Sequence, residues 1–317
     1  MGKQSQSVIT LMGPTASGKS AASLMLAERF GGEVITVDSA QVYKGMDIGT
    51  AKPSPVEQRL VRHHLLDIRD PAEKYSAAEF REDALRLIGE ILGRGKVPLL
   101  VGGTNLYFRA LFQGLSELPA ADAEVRANIE AQAQRFGWPA LHQRLQQVDP
   151  VSGARIHSTD PQRIQRALEV YEITGKTLTE LCQVDDGPSV FPYHNVKIIM
   201  APQERSWLHQ RIAVRFDQML AQGFLDEVRR LYARGELTSN LPAIRAVGYR
   251  QVWAFLDGDY DEQQMREKGI VATRQLAKRQ MTWLRQEQDA ARFECSADNI
   301  LDEVERYVAQ HLHRDLP

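Results

Sequence analysis

Cysteine is nearly absent: only Cys182 and Cys295 occur in 317 residues. They are far apart and form no Cys-x-x-Cys pair, which argues against a disulfide framework or a zinc site and fits a reducing cytosol. No apolar run approaches the ~20 residues of a membrane span. The polar N-terminus, meeting its first strand by Val8, lacks the pattern of a secretory signal. Met1-Gly2 would suit myristoylation, but Gln6 stands where Ser or Thr is wanted. Net charge is -2, so no global positive field advertises nucleic acid, and any such partner must be met by local patches. Internal repeats and low-complexity tracts are missing too. A soluble, cytoplasmic monomer of about two domains is expected at ~150 residues per domain.

A complete G-x-x-x-x-G-K-[ST] motif is present at Gly13, Pro14, Thr15, Ala16, Ser17, Gly18, Lys19 and Ser20. The spacing is that of a phosphate-cradling P-loop. A strand-type run, Ser7 to Met12, precedes it and a helix opening, Ala21 to Ala27, follows. Strand, glycine loop and helix together aim successive N–H groups and a helix N-terminus at one anion. Lys19 adds a point charge, and the Ser20 hydroxyl is placed to reach Mg²⁺ beside the phosphates. The bland alternative is a glycine-containing surface turn, which the flanks disfavour.

Further strands are predicted over Glu33 to Gln41, His64 to Ile68, Lys96 to Thr104 and Asn195 to Met200. Ser76 with Glu79 marks a capping box for a helix up to Leu92. Asp160-Pro161 starts another helix, which Gly175 ends after Thr174. Strands alternating with helices imply an α/β fold: a P-loop NTPase-like parallel sheet flanked by helices, with ligands beyond the carboxyl ends of its strands. Gly13, Asp38 and Thr104 stand at such ends. From about Ala120 to the loop Gln183 to Pro192, which carries Asp185, Gly187 and Pro188, the pattern is helical only. The expected organisation is a first core part over 1–119, a helical insertion over 120–192, and core completion with a helical C-terminal region over 193–317.

The strand Leu99-Leu100-Val101 ends in Gly102-Gly103-Thr104 rather than in a Walker-B Asp, and no Asn-Lys-x-Asp occurs. Both absences weigh against an NTP-hydrolysing or GTP-switching protein. Asp38 is the acid best placed to reach whatever the P-loop grips; its bland reading is a loop-capping carboxylate. His63-His64 and His311 with His313 lack carboxylate or cysteine partners in sequence and are read as structural or surface groups.

The blocks GPTASGKS, VDSAQVYKGMDIGTAKP, LLDIRDP, LLVGGTNLYFRAL, DPQRIQRALEVYEITGK, IRAVGYRQVW and ATRQLAKRQMTWLR occur in that order. Together they resemble the tRNA dimethylallyltransferase family, from about Val8 to Arg285. The resemblance implies that the P-loop holds the diphosphate of dimethylallyl diphosphate, with Mg²⁺ as cofactor, and that N6 of adenosine 37 beside the tRNA anticodon is prenylated. It assigns catalysis to Asp38, as acceptor of the N6 proton, with Thr104 and Arg215 on the diphosphate; Arg211 is the neighbour most easily confused with Arg215. Burying a five-carbon tail contributes at most ~4 kcal/mol at ~0.8 per carbon, so diphosphate contacts must dominate binding.

The resemblance also places tRNA on Asp38, Ser39, Ala40, Gln41 and Thr104, and on Arg126 in the insertion. Gln162, Arg163, Ile164, Gln165 and Arg166 match a further RNA-contacting block. Arg245, Ala246, Val247, Gly248, Tyr249 and Arg250 set two arginines around a glycine and a tyrosine, suited to phosphate contact and base stacking. Arg274, Lys278, Arg279 and Arg285 lie in a stretch, Ile270 to Gln286, that has no acidic residue. Arg274, Lys278 and Arg285 share one helical stripe from which Leu276 and Trp283 point away. Such a stripe alone is usually a solvated face. Two other classes remain open on residues alone: a nucleoside-monophosphate-kinase-like phosphotransferase, and a non-catalytic RNA-binding module.

Overall fold

The computed structural model describes residues 7–116, 118–183 and 191–312. They form two compact units, one from the residues up to Phe112 and from Phe191 onward, the other from the residues between.

The larger unit is built on six parallel strands: β1 (Ser7–Met12), β2 (Gly32–Val37), β3 (His63–His64), β4 (Val97–Gly102), β5 (His194–Ala201) and β6 (Ala291–Glu294), in the order β3-β2-β4-β1-β5-β6. Register pairs Ile9 with Leu99 on one side and with Val196 on the other. β1 is therefore interior, and all six of its residues are buried. Its apolar positions alternate between faces, as a period of two demands. Val8, Met12, Ile35, Val37, Leu100 and Ile199 pack into one core, and Ile9, Leu11, Val34, Leu99, Ile198 and Met200 into the other. Covering both faces is what makes a parallel sheet read as continuous hydrophobic runs.

The chain leaves β1 through the P-loop into α1 (Lys19–Phe30) and later forms α2 (Pro55–Leu60), α3 (Ala77–Gly93) and α4 (Asn105–Gln113). Ser76 and Glu79 close the predicted capping box at the start of α3. The smaller unit is helical: α5 (Ala123–Phe136), α6 (Trp138–Val148), α7 (Pro150–Arg155), α8 (Pro161–Thr174) and α9 (Leu178–Gln183). Its core gathers Ile129, Leu141, Leu145, Ile156, Ile164 and Leu168. In α8 both predicted ends are met: Asp160 caps it, with Pro161 in its first turn, and Gly175 terminates it with φ 69°. The loop residues Asp185, Gly187 and Pro188 lie outside the described residues, as do Met1, Gly2, Gln6 and His313.

The chain re-enters the larger unit at Phe191, whose ring meets Phe112 edge-on at 5.1 Å. There β5 is followed by α10 (Arg205–Ala221), α11 (Phe224–Tyr232), α12 (Tyr249–Leu256) and α13 (Glu262–Leu284), and β6 by α14 (Ile300–His311). α1 and α14 cover one face of the sheet, while α3, α10, α12 and α13 contribute to the core on the other.

Three local expectations are corrected. The strand predicted over His64 to Ile68 stops at His64, because Leu65 and Asp67 take φ values of 63° and 54°, which strands do not accommodate. β2 ends at Val37, since Asp38 Oδ1 accepts from the N–H of Ala40 at 2.8 Å and bends the chain. The C-terminal region is not wholly helical: β6, a short stretch with two charged residues, adds an edge strand.

Candidate active site

The P-loop connects the buried end of β1 to α1. Ala16 and Gly18 adopt φ of 64° and 92°, and such left-handed residues in a turn aim backbone N–H groups into a common concavity. Gly13 is tied by packing, because a Cβ there would run into the Met200 carbonyl oxygen and lie 2.8 Å from Ser17 Oγ. Lys19 folds back over the loop, its Nζ donating to Pro14 O at 2.7 Å and lying 3.5 Å from Ser17 Oγ. Enclosure, then the positive charge of Arg215, pushes Lys19 down to about 8, although Asp38 pulls the other way.

The loop forms one wall of a cleft of about 1190 Å³ at the carboxyl ends of the strands. Asp38, Ala40 and Gln41 from the turn after β2, Gly102 and Gly103 from the end of β4, and Arg211 and Arg215 from α10 line it. Close approach explains the paired glycines: a Cβ on Gly102 would strike the Val37 carbonyl, and one on Gly103 the Gln280 amide. Thr104 begins the turn into α4, and its Oγ1 accepts from Ser39 N at 3.2 Å, so the ends of β2 and β4 are fastened together.

Asp38 caps a turn and also lines the cleft beside the P-loop. Its Oδ1 caps the turn through Ala40 N and Gln41 N, at 2.8 and 3.4 Å, while Oδ2 accepts no described hydrogen bond. Arg215 makes no hydrogen bond or ion pair among the described residues; burial lowers its pKa, opposed by Asp38 and reinforced by Arg211. Arg211 is a distinct element: its Nε donates to Ala16 O at 3.0 Å, and its guanidinium lies 4.7 Å from the centre of the Trp207 ring. It braces the loop, whereas Arg215 is open to a ligand.

Two groups here escaped sequence reasoning. Gln280 of α13 accepts from Thr15 N at 2.8 Å and donates to Gly103 O at 3.1 Å, joining the P-loop to the end of β4. Glu227 of α11, buried, accepts from the N–H groups of Asp47, Ile48 and Gly49 at 3.0, 2.8 and 3.1 Å and from the Tyr249 hydroxyl. A signal existed for Glu227: Phe224, Val228 and Leu231 mark the buried face of α11, and position 227 stands on it.

The remaining residues expected to meet RNA divide. Ala246, Val247, Gly248 and Tyr249 line the cleft, but Tyr249 is fully enclosed and its hydroxyl is engaged by Glu227, so base stacking is not open to it. Gly248 is also buried, while Arg245 and Arg250 are exposed. On α13, Thr273, Leu276 and Gln280 face the cleft. Lys278, Arg279 and Arg285 are exposed and Arg274 half-buried, none of them on its walls. Trp283 is buried.

In the smaller unit Ile164 lies in the core, which removes it from direct contact. Arg126 and Arg166 both bond the buried Glu169, and Arg166 also donates to Pro119 O at 2.7 Å. Gln165 bonds Glu130 at 3.0 Å, whereas Gln162 and Arg163 are exposed. The histidines are occupied structurally: His63 Nδ1 is 2.8 Å from Val61 O, His64 Nε2 is 2.7 Å from Glu33, and His311 Nδ1 is 2.8 Å from Tyr307 O.

Comparison with known proteins adds to this geometry. Residues 41–287 match the family model described as IPP transferase. The tRNA dimethylallyltransferase of Ralstonia nicotianae is 55% identical over 309 residues, covering 96% of each chain. The solved full-length tRNA isopentenylpyrophosphate transferase of Bacillus halodurans superposes with a TM-score of 0.71 at 38% identity, covering 97% of each chain. A eukaryotic dimethylallyltransferase solved acting on tRNA gives a TM-score of 0.79 at 28% identity, over 96% of this chain and 78% of that one.

Proposed function

Because the chain belongs to the IPP transferase family, we propose that its P-loop cleft is where the family's prenyl transfer takes place. The protein is an enzyme that moves a dimethylallyl group from dimethylallyl diphosphate to N6 of an adenosine in tRNA, releasing diphosphate. The finer assignment, to adenosine 37 beside the anticodon, is part of the proposal.

One observation carries the placement. Lys19 and Arg215 share the cleft; burial lowers the proton affinity of both, the charge of Arg215 lowers that of Lys19 further, and neither is hydrogen-bonded to a carboxylate among the described residues. Two enclosed cations without a bonded counter-anion are costly unless a ligand supplies the negative charge. A diphosphate does so, and the backbone N–H groups of Gly18, Lys19 and Ser20 at the head of α1 present donors to its oxygens. With a leaving group stabilised in this way, the C1–O bond of the allylic substrate breaks as the N6–C1 bond forms.

The attacking amine is a weak nucleophile, because its lone pair is delocalised into the purine ring. A carboxylate that accepts a hydrogen bond from N6 orients it and takes up the proton it loses. Asp38 Oδ2 is the free acceptor for that task, since Oδ1 is held by the turn. Thr104 spends its oxygen lone pair on Ser39 N and keeps its O–H to donate towards the diphosphate. The adenine must leave its stack to reach this depth. Ser39, Ala40 and Gln41 are the proposed contacts for it and its neighbours, with Arg245, Arg250, Arg274, Lys278, Arg279 and Arg285 as cations for the phosphate backbone. Gln162 and Arg163 are the exposed candidates of the smaller unit.

For Mg²⁺ the donor set fits a shared ion rather than a protein cage. Among the described residues no three His, Cys, Asp or Glu side chains gather to hold a metal, whereas Ser20, exposed at the start of α1, lines the cleft. Ser20 would be the protein ligand and diphosphate oxygens the others; the ion would neutralise charge on the departing diphosphate. Among the described residues no helix is long and apolar enough to cross a membrane.

The test is incubation of unmodified tRNA with isotopically labelled dimethylallyl diphosphate and Mg²⁺, followed by nucleoside analysis. Label on N6 of the adenosine next to the anticodon is expected. Label elsewhere, or none, would remove the reading.

A further inference from the structure

The adenine-side wall of the cleft rests on a chain of contacts that starts far from it in sequence. Glu227 gathers three consecutive backbone N–H groups, with Oε2 accepting from Asp47 and Ile48 and Oε1 from Gly49. Tyr249, at the head of α12, donates its hydroxyl to the same Oε1. The carboxylate is 2% exposed, so no water replaces these donors. It fixes the path of the segment from Asp47 to Lys52, which lines the cleft. Gly49 has no room to move: a Cβ there would lie against the rings of Phe224 and Tyr249.

The same segment holds Gln41. Its Nε2 donates to Thr50 O at 3.1 Å and to Ala51 O at 3.2 Å. Both partners are carbonyls, so the amide nitrogen must face them and the amide oxygen must point the other way. Among the described residues that oxygen accepts no hydrogen bond, and Gln41 lines the cleft. An acceptor of fixed direction in a site built for a base is a reading element, because a wrong donor pattern opposite it leaves a polar group unpaired.

Resting on the prenyl-transfer reading, we propose that Glu227 is a positioning residue for the tRNA substrate: it anchors the segment 47–51, whose carbonyls orient the Gln41 amide oxygen towards an N–H of the bound nucleotide. The carboxylate touches neither the diphosphate pocket nor the reacting atoms. Its influence therefore falls on tRNA and not on the prenyl donor.

The experiment compares Glu227→Gln, Gln41→Ala and the double variant with the wild-type protein, in steady-state transfer to unmodified tRNA and in direct binding of dimethylallyl diphosphate without tRNA. Glu227→Gln keeps the shape but turns an amide N–H₂ towards Gly49 N, so one of the three loop donors is opposed. A rise of about tenfold in KM for tRNA is expected, the size of one lost buried hydrogen bond, with dimethylallyl diphosphate affinity unchanged. The double variant is expected to be no worse than Gln41→Ala alone, since both act through one amide.

Tyr249→Phe removes a donor but leaves the three loop N–H groups bonded, and is expected to change tRNA KM less than Glu227→Gln does. Additive losses in the double variant, an unchanged tRNA KM in Glu227→Gln, or a parallel loss of diphosphate affinity would each overturn the proposal. Wild-type transfer activity, measured alongside, separates failure of this inference from failure of the prenyl-transfer reading.

Discussion

Arginine serves opposite purposes in the two units. In the smaller one, Arg126 and Arg166 converge on Glu169, a wholly buried carboxylate that also accepts from Asp122 N at 3.0 Å. Burial alone would raise the pKa of Glu169; the hydrogen bonds from the two arginines outweigh it and hold it below the usual range. In the cleft of the larger unit, burial lowers the pKa of both Arg215 and Lys19, the charge of Arg215 lowers that of Lys19 further, and neither has a bonded carboxylate among the described residues. A cation with its anion in place holds a shape, while a cation without one prepares for a ligand. Residue type alone does not distinguish the two, and the resemblance to one family takes in both kinds.

Four measurements can break or sharpen this contrast. The largest effect is expected at the cleft: Lys19→Ala and Asp38→Asn each lower kcat by about 10³-fold, the range for removing a charge-stabilising donor or a general base, with tRNA affinity largely kept in a filter-binding assay. Equal loss of tRNA binding would erase the division of labour between the two faces. Second, Glu169→Ala should destabilise the smaller unit by about 3 kcal/mol, as breaking a buried ion pair does, seen as a lower midpoint in urea. Because the folded pKa of Glu169 is depressed, its contribution is complete above the unfolded carboxylate value of about 4.3 and is lost as pH falls through the lower folded value.

Third, Lys19 at about 8 predicts a pH dependence for donor binding. A bound diphosphate raises that pKa, so affinity is flat below about pH 8 and falls above it by up to roughly tenfold per pH unit. Titration calorimetry in two buffers should show proton uptake near pH 8 that Lys19→Arg abolishes. The smallest effect is expected on the exposed stripe of α13: Lys278→Glu should weaken tRNA binding several-fold and flatten its salt dependence by about one phosphate contact. An unchanged salt slope would remove that stripe from the interface.

What the sequence made readable was whatever it determines locally. Strand β1 and the P-loop are neighbours in the chain, and α8 carries both its start, Asp160-Pro161, and its stop, Gly175. The site was legible where it lies in one contiguous turn, as with Asp38 to Gln41. Gln280 was not, because its partners Thr15 and Gly103 are 265 and 177 residues away, and a glutamine on a basic helix looks like any surface residue. Tyr249 misled for the same reason: an aromatic between two arginines suggests stacking, and only Glu227, 22 residues earlier, reveals an inward-facing hydroxyl. β6 escaped because Ala291 to Glu294 is short, partly charged and paired on one side only, so its pattern is set by β5 rather than by itself.

The ring contact between Phe112 and Phe191 has a consequence for how such a chain is assembled. Those side chains clasp the points where the strand-built body lets go of the polypeptide and picks it up again, so the excursion begins and ends at one doorway. A body cut there needs only a brief splice to close.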